Sequence, residues 1–214
     1  MKSKKDAIEI INILKEEYPD SKGSLNYKTP FQLLVAVCLS AQCTDDRVNM
    51  VTTDLFKVAS TPSDFEKIKL EKLEELIRPC GFYKNKAKNL KAAAKKINED
   101  FDGEVPNDMD KLITIPGVGR KSANVIMLDA FNNPVGIAVD THVGRISTRI
   151  GFSKEKEPSK IEQDLLKQIP KEYYYIVNHT FIDHGRKICK SQSPKCSICP
   201  INHLCNFGKK NNSK

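Results

Sequence analysis

Four cysteines near the C-terminus have the types and spacing for metal chemistry: Cys189-x6-Cys196-x2-Cys199-x5-Cys205. Thiolates are soft ligands, and four of them within 17 residues suit a tetrahedral zinc or an iron–sulfur cluster. Ordinary buried thiols are the alternative. They fit less well, because the segment carries too few apolar residues to hold itself together without a metal. Spacing alone does not separate zinc from iron–sulfur. His203 lies within the segment, but four cysteines already complete a site. The other three cysteines are scattered, and Cys38 and Cys80 read as core thiols.

The second chemistry-bearing stretch is Ile115-Pro116-Gly117-Val118-Gly119-Arg120-Lys121-Ser122-Ala123. Pro116 sets φ and offers no N–H, and glycine tolerates positive φ. The pattern predicts two helices joined by a tight hairpin with outward-pointing amides. Amides at a helix N-terminus suit a phosphate. Lys121 falls in the first turn of the second helix, where the dipole disfavours its protonated form. Some twenty residues on comes Val139-Asp140-Thr141-His142. Read alone, Asp140 is an N-cap and Pro-Gly-Val-Gly is a plain helix–helix turn. If the two helices start on one side, an amine and a carboxylate meet at one cleft. A lysine of lowered pKa then attacks a carbonyl-like carbon and forms a Schiff base, while the carboxylate steers proton transfer or stabilises a developing cation.

The elements that must position these groups all read as helices. Ala7, Ile8, Ile11, Leu14 and Tyr18 share one face of a helix over residues 7–18, stopped by Pro19. Thr29-Pro30 opens a helix that is apolar nearly all round from Phe31 to Leu39, hence buried. Thr44 caps a helix over 45–58, and Thr61-Pro62 starts one that runs to Ile77 and stops at Gly81. Ala87, Leu90, Ala94, Ile97 and Phe101 give the cleanest period of three and four. A short helix from Asp108 to Thr114 feeds the hairpin, and a buried one follows over 120–131. Asp140-Thr141 caps a helix to Ile150, Ser159 opens another, and a last one covers 172–184. Val135–Val139 has extended character but no partner strand. The cysteine segment shows no long periodicity. The fold class is all-α, with about ten helices and no solenoid repeat.

Charge is unevenly placed. The net charge is +8, and seven basic residues and no acidic ones lie between Arg186 and Lys214, leaving 28 basic against 27 acidic in the rest. A basic segment on a balanced protein points to a polyanion, nucleic acid first; the alternative is a solvated tail. No apolar run has the length needed to span a bilayer. The N-terminus leads into an amphipathic helix rather than a signal-peptide core, so a soluble intracellular protein is expected.

Together, the hairpin, Val139-Asp140-Thr141-His142-Val143, Leu39-Ser40-Ala41-Gln42 and the four-cysteine spacing resemble the endonuclease III family of the helix-hairpin-helix DNA glycosylase superfamily. The resemblance spans about Lys28 to Cys205. It implies two helical domains, 24–134 with six helices and the hairpin, and 1–23 plus 135–214 with the cysteine loop, flanking a DNA-binding cleft. It implies that Lys121 attacks C1′ of a damaged nucleotide, that Asp140 is the essential aspartate, and that Cys189, Cys196, Cys199 and Cys205 hold a [4Fe–4S] cluster. Gly117 and Gly119 would grip a phosphate. Gln42 would enter the gap left by an extruded base, and the turn at Gly81-Phe82-Tyr83 would wedge into the duplex. Arg120, His142, Lys187, Lys190 and Lys195 are further candidate DNA contacts. Phe82 stands where the family usually has an aliphatic residue, and Gly144 where a larger side chain is common.

The implied function is a bifunctional glycosylase and abasic-site lyase that excises oxidised pyrimidines from double-stranded DNA in base excision repair. The expected setting is a cytoplasmic, nucleoid-associated monomer of prokaryotic type with no targeting segment. A monofunctional adenine or thymine mismatch glycosylase, whose relatives carry another residue at the Lys121 position, and a non-catalytic DNA-binding module are the alternatives.

Overall fold

The computed structural model describes residues 1–212, so Lys214, the last cation of the basic segment, lies outside the described residues. Among the described residues twelve α-helices follow one another: α1 (Lys4–Glu17), α2 (Pro30–Leu39), α3 (Asp45–Val58), α4 (Pro62–Lys67), α5 (Leu70–Ile77), α6 (Tyr83–Asp100), α7 (Met109–Leu112), α8 (Arg120–Asp129), α9 (Thr141–Ile150), α10 (Pro158–Gln168), α11 (Tyr174–Lys187) and α12 (Asn206–Asn212). Short 3-10 turns sit at Arg78–Cys80, Lys171–Tyr173, Cys196–Ile198 and Asn202–Leu204. Among the described residues there is no strand, and 135–139 runs as irregular backbone. The chain divides into two compact units: Ser24–Asn133, and Met1–Gly23 together with the chain from Pro134 onward.

Several helix starts share one device. Thr29, Thr44, Asp108 and Asp140 each accept a hydrogen bond from the backbone N–H three residues on, satisfying a donor that the helix itself leaves unpaired. At Thr61 the device is a full capping box with Asp64. In α2 every residue from Phe31 to Leu39 except Cys38 is buried, as its all-round apolar pattern requires. It forms the axis of the Ser24–Asn133 core, where Phe31 meets Phe65 edge-on at 5.1 Å and Leu34, Leu39, Leu55, Leu73 and Leu90 close around it. Cys80 is in this core, while Cys38 lies half-buried at its edge. The other unit packs Ile10, Ile11 and Leu14 of α1 against Ile146, Phe152, Leu165, Val177 and Phe181.

The structure corrects the helical reading in several places, beginning with α1, which starts at Lys4 rather than at residue 7. The stretch from Thr61 to Ile77 is two helices, because the chain leaves helical geometry at Ile68 (ψ 136°) and Lys69 (ψ 141°). Lys91 of α6 takes up carbonyls at the end of α4, donating to Phe65, Glu66 and Ile68 at 2.5–3.1 Å. That break gives the Ser24–Asn133 unit seven helices. Next, α10 opens at Pro158 with Glu157 at its cap rather than at Ser159. The last helix expected over 172–184 starts two residues later and runs on to Lys187. Finally, α12 has no apolar period to announce it; Phe207 beneath the Arg149 guanidinium, 4.7 Å from its ring centre, ties it to α9.

Candidate active site and metal centre

The hairpin is a turn closed by Val118 N–H donating to the Ile115 carbonyl at 3.0 Å. Pro116 and Gly117 occupy its centre, and Gly117 has φ +82°, the left-handed value that a type II turn demands at that position. Any larger residue there would also press on Asn89 of α6, since its β-carbon would lie 3.3 Å from the Asn89 side chain. Ile115 and Val118 are buried and anchor the turn, and the Cys38 thiol faces the Gly117 carbonyl at 3.6 Å. Gly117 and Gly119 are left exposed. Gly119 is the N-cap of α8 and has no side chain with which to cover the first-turn amides, so the helix start is open to an anion. Lys121 is exposed in that first turn, beside exposed Arg120.

Two further loops of the same unit carry exposed tips in strained backbone. Gln42 follows α2 with φ +54°, and Phe82 precedes α6 with φ +47° and ψ 26°. Left-handed geometry is uncommon for side chains of this kind. Phe82 is 68% exposed, the greatest exposure of any phenylalanine or tyrosine among the described residues with large exposed apolar side chains. An apolar ring held out in water serves no core.

In the other unit, Asp140 Oδ1 accepts from Val143 N–H at 2.8 Å, so the carboxylate is the α9 cap. Its second oxygen is not used by that bond. His142 is half-buried, with Nδ1 3.1 Å from Arg145. Burial holds this imidazole below its usual range; Asp140 pulls it up, and Arg145 and Arg186 push it down. Gly185 of α11 allows this close approach, since a β-carbon there would lie 2.6 Å from His142 Nδ1. Gly144 has ordinary space: a β-carbon would sit 3.6 Å from Ile161 and Val139.

Cys189, Cys196, Cys199 and Cys205 line one cavity of about 350 Å3, counting its part open to solvent. Among the described residues no three His, Cys, Asp or Glu side chains form a ligand set for a single ion; the four cysteines share the lining of this one cavity. Hydrogen-bond donors approach three of the four sulfurs, and the Arg149 carbonyl faces that of Cys205 at 3.3 Å. Arg149 Nη1 points at Cys189 Sγ (3.4 Å), Gly208 N–H at Cys205 Sγ (3.5 Å), and His184 Nε2 lies 3.5 Å from Cys199 Sγ. The His184 Nδ1 meets the Tyr18 hydroxyl at 2.9 Å, and a neutral ring accepting there donates from Nε2 to the sulfur. Burial pushes the Cys199 thiol up to about 11 and raises that of Cys205, so the thiolate form of these two is favoured only by a bound cationic group. The donor set therefore fits a metal cofactor. Arg145 and Arg149 also hold the loop by its carbonyls at Cys189, Lys190 and Ser191. Lys187, Lys190 and Lys195 are exposed around it, with the Lys187 ammonium 4.9 Å from the Tyr18 ring centre.

Sequence reasoning does not single out several of these residues. Arg145 and Arg149 lie one turn apart on α9, a readable signal only once the partner loop is known. Tyr18 and His184 are 166 residues apart and leave no local signal.

An all-helical chain with a glycine hairpin ahead of an exposed lysine, and a four-cysteine cavity, defines a recognisable class. Residues 35–171 match the family described as HhH-GPD superfamily base excision DNA repair protein, and the chain belongs to it. Residues 189–205 match the iron-sulfur binding domain of endonuclease III, so the cysteine segment is an iron–sulfur module. Within the superfamily the chain is a member of the endonuclease III family. It is 48% identical to endonuclease III of Synechocystis sp. over 206 residues, covering 96% of this chain and 94% of the relative. It is 40% identical to endonuclease III of Escherichia coli K12 over 208 residues, covering 97% and 98%. A solved structure of a trapped endonuclease III-DNA covalent intermediate superimposes with a TM-score of 0.92 at 45% identity, covering 99% of this chain and all of that one. A thermostable thymine-DNA glycosylase shares the fold, with a TM-score of 0.87 at 21% identity.

Proposed function

We propose that Lys121 is the nucleophile and Asp140 the essential carboxylate of base excision from oxidised pyrimidines in double-stranded DNA. The enzyme class follows from family membership: the chain is a DNA glycosylase and abasic-site lyase of base excision repair. The observation that carries the residue assignment is the exposed lysine in the first turn of a helix whose start has no side-chain cap. Gly117 and Gly119 hold the backbone phosphate, and that anchor sets which sugar Lys121 reaches.

In this reading the damaged nucleotide leaves the stack, Gln42 enters the gap, and Phe82 stacks against or inserts between neighbouring bases. The Lys121 lone pair forms a bond to C1′, and the base departs with the electron pair of the glycosidic bond. Asp140 stabilises the positive charge that develops on the sugar. Loss of a Lys121 proton and ring opening give a Schiff base. Removal of a C2′ proton then breaks the C3′–O bond, so the strand is cut 3′ to the lesion. Arg120, His142, Lys187, Lys190 and Lys195 contact the DNA. Cys189, Cys196, Cys199 and Cys205 would hold a [4Fe–4S] cluster, which when bound would cross-link the loop that carries Lys190 and Lys195. The enzyme acts on the nucleoid as a monomer.

A duplex containing thymine glycol tests this reading. The expected product is a nicked strand ending in an unsaturated aldehyde. Base release with the strand intact would make the enzyme monofunctional, and binding without turnover would leave only a DNA-binding module.

A further inference from the structure

The ammonium of Lys86 is the least expected group in the Ser24–Asn133 unit. The residue is 8% exposed, on the apolar stripe of α6 with Leu90, Ala93 and Ile97. A lysine ammonium has three hydrogens. All three are donated here to main-chain carbonyls, those of Leu39, Ala41 and Cys80, each at 2.8 Å. Burying a cation on neutral acceptors is costly compared with an apolar side chain of the same shape. What the ammonium supplies that a methionine would not is position.

Those three carbonyls are not arbitrary. Leu39 ends α2, and Ala41 is the residue immediately before Gln42. Cys80 closes the 3-10 turn that leads through Gly81, at φ +67°, into Phe82. The one cation therefore grips the loop behind Gln42 and the loop behind Phe82 together. Both tips are held in left-handed backbone, which is strained for a non-glycine residue. The Lys86 N–H also donates to the Phe82 carbonyl at 3.1 Å, so one residue fixes that loop from its main chain and its side chain.

We propose that Lys86 is the positioning residue that sets the two duplex-opening loops in register before DNA arrives. It touches neither DNA nor the reacting sugar. The inference rests on the reading of Gln42 and Phe82 as the residues that enter the duplex. Without the clamp each loop relaxes toward ordinary backbone, and binding must supply the ordering it now finds already made.

The test compares Lys86→Met with the unsubstituted protein, cluster loaded, on two substrates. One is a duplex carrying thymine glycol, which must be opened. The other is a single-stranded oligonucleotide carrying an abasic site, which has neither a base to extrude nor a gap to fill. The expected result is a drop of tenfold or more in single-turnover excision on the duplex, with single-strand cleavage held within about twofold, measured well below the melting temperature. Hydrogen exchange should rise at residues 40–44 and 80–83 and not in the hairpin at 115–121. Lys86→Arg, which keeps the charge and some of the donors, should recover part of the duplex rate and provides the test if the methionine variant does not fold. Parallel loss on both substrates, or undiminished duplex excision, would overturn the proposal. If the unsubstituted protein cleaves neither substrate, it is the lyase assignment that fails and not the clamp.

Discussion

Asp140 has two readings that one pair of substitutions separates. Its Oδ1 caps α9 through Val143 N–H at 2.8 Å, and its charge is proposed to act on the reacting sugar. Asparagine keeps the capping oxygen and removes the charge; alanine removes both. As an N-cap, asparagine ranks with aspartate, whereas alanine costs about 1 kcal/mol. Neutralising the carboxylate forfeits a further ~0.3–1 kcal/mol of helix-dipole interaction in either variant. Asp140→Asn should therefore lose at most about 1 kcal/mol and Asp140→Ala about 1–2, which for a chain of this size is a few degrees of Tm, at about 2–4 °C per kcal/mol. Against a total of about 5–15 kcal/mol, either variant remains overwhelmingly folded at 25 °C, so a cap alone predicts no loss of rate. A carboxylate engaged in charge stabilisation or proton transfer predicts a loss of about 10²–10⁴ in both, equivalent to about 2.7–5.5 kcal/mol at the usual 1.36 kcal/mol per decade. The assay is single-turnover excision on lesion duplex alongside thermal melting. An Asp140→Asn protein that keeps its rate within about threefold, or a rate that falls only as Tm is approached, would refute the catalytic reading and leave the cap.

Four other outcomes follow from the same geometry. Replacing Lys187, Lys190 and Lys195 together by alanine should reduce the slope of log affinity against log salt by up to about 2.7, at about 0.9 per phosphate contact; an unchanged slope would remove them from the DNA interface. Gly185→Ala places a β-carbon against His142 and Arg145 and should cost about 1–3 kcal/mol by overpacking, read as a lowered Tm. His142 has its folded pKa depressed below 6.5, so the native state binds fewer protons than the unfolded one; its contribution is fully present above pH 6.5 and is lost as pH falls below it. A His142→Gln protein should accordingly lose less stability than the unsubstituted chain between pH 7 and 5. Arg149→Ala removes the donor to Cys189 and the clamp on the loop carbonyls, and visible absorbance under an iron chelator should bleach faster.

What the amino-acid order reveals is local chemistry. Thr29, Thr44, Asp108 and Asp140 announce helix starts because a cap needs only its own next three residues. The α6 stripe and the Pro-Gly-Val-Gly turn are legible for the same reason, as is the cysteine spacing. What stays hidden depends on distant partners. At the break between α4 and α5 the freed carbonyls are satisfied by Lys91, a residue of another helix. Lys86 is a cation on an apolar stripe, but its meaning needs three carbonyls from two other segments. The Tyr18–His184–Cys199 chain joins residues from both ends of the sequence. In α12, contacts with distant residues replace periodicity: Phe207 lies under Arg149, and Asn206 accepts from Lys2.

The central claim is that the Lys121 amine forms a covalent bond to the sugar. Incubating the protein with abasic-site duplex and sodium borohydride, then digesting and locating the DNA-linked peptide by mass, tests it directly. The account predicts one adduct, on the peptide containing Lys121, absent from Lys121→Ala although that protein still binds the duplex. Undiminished trapping by Lys121→Ala, or an adduct on any other lysine, would contradict it.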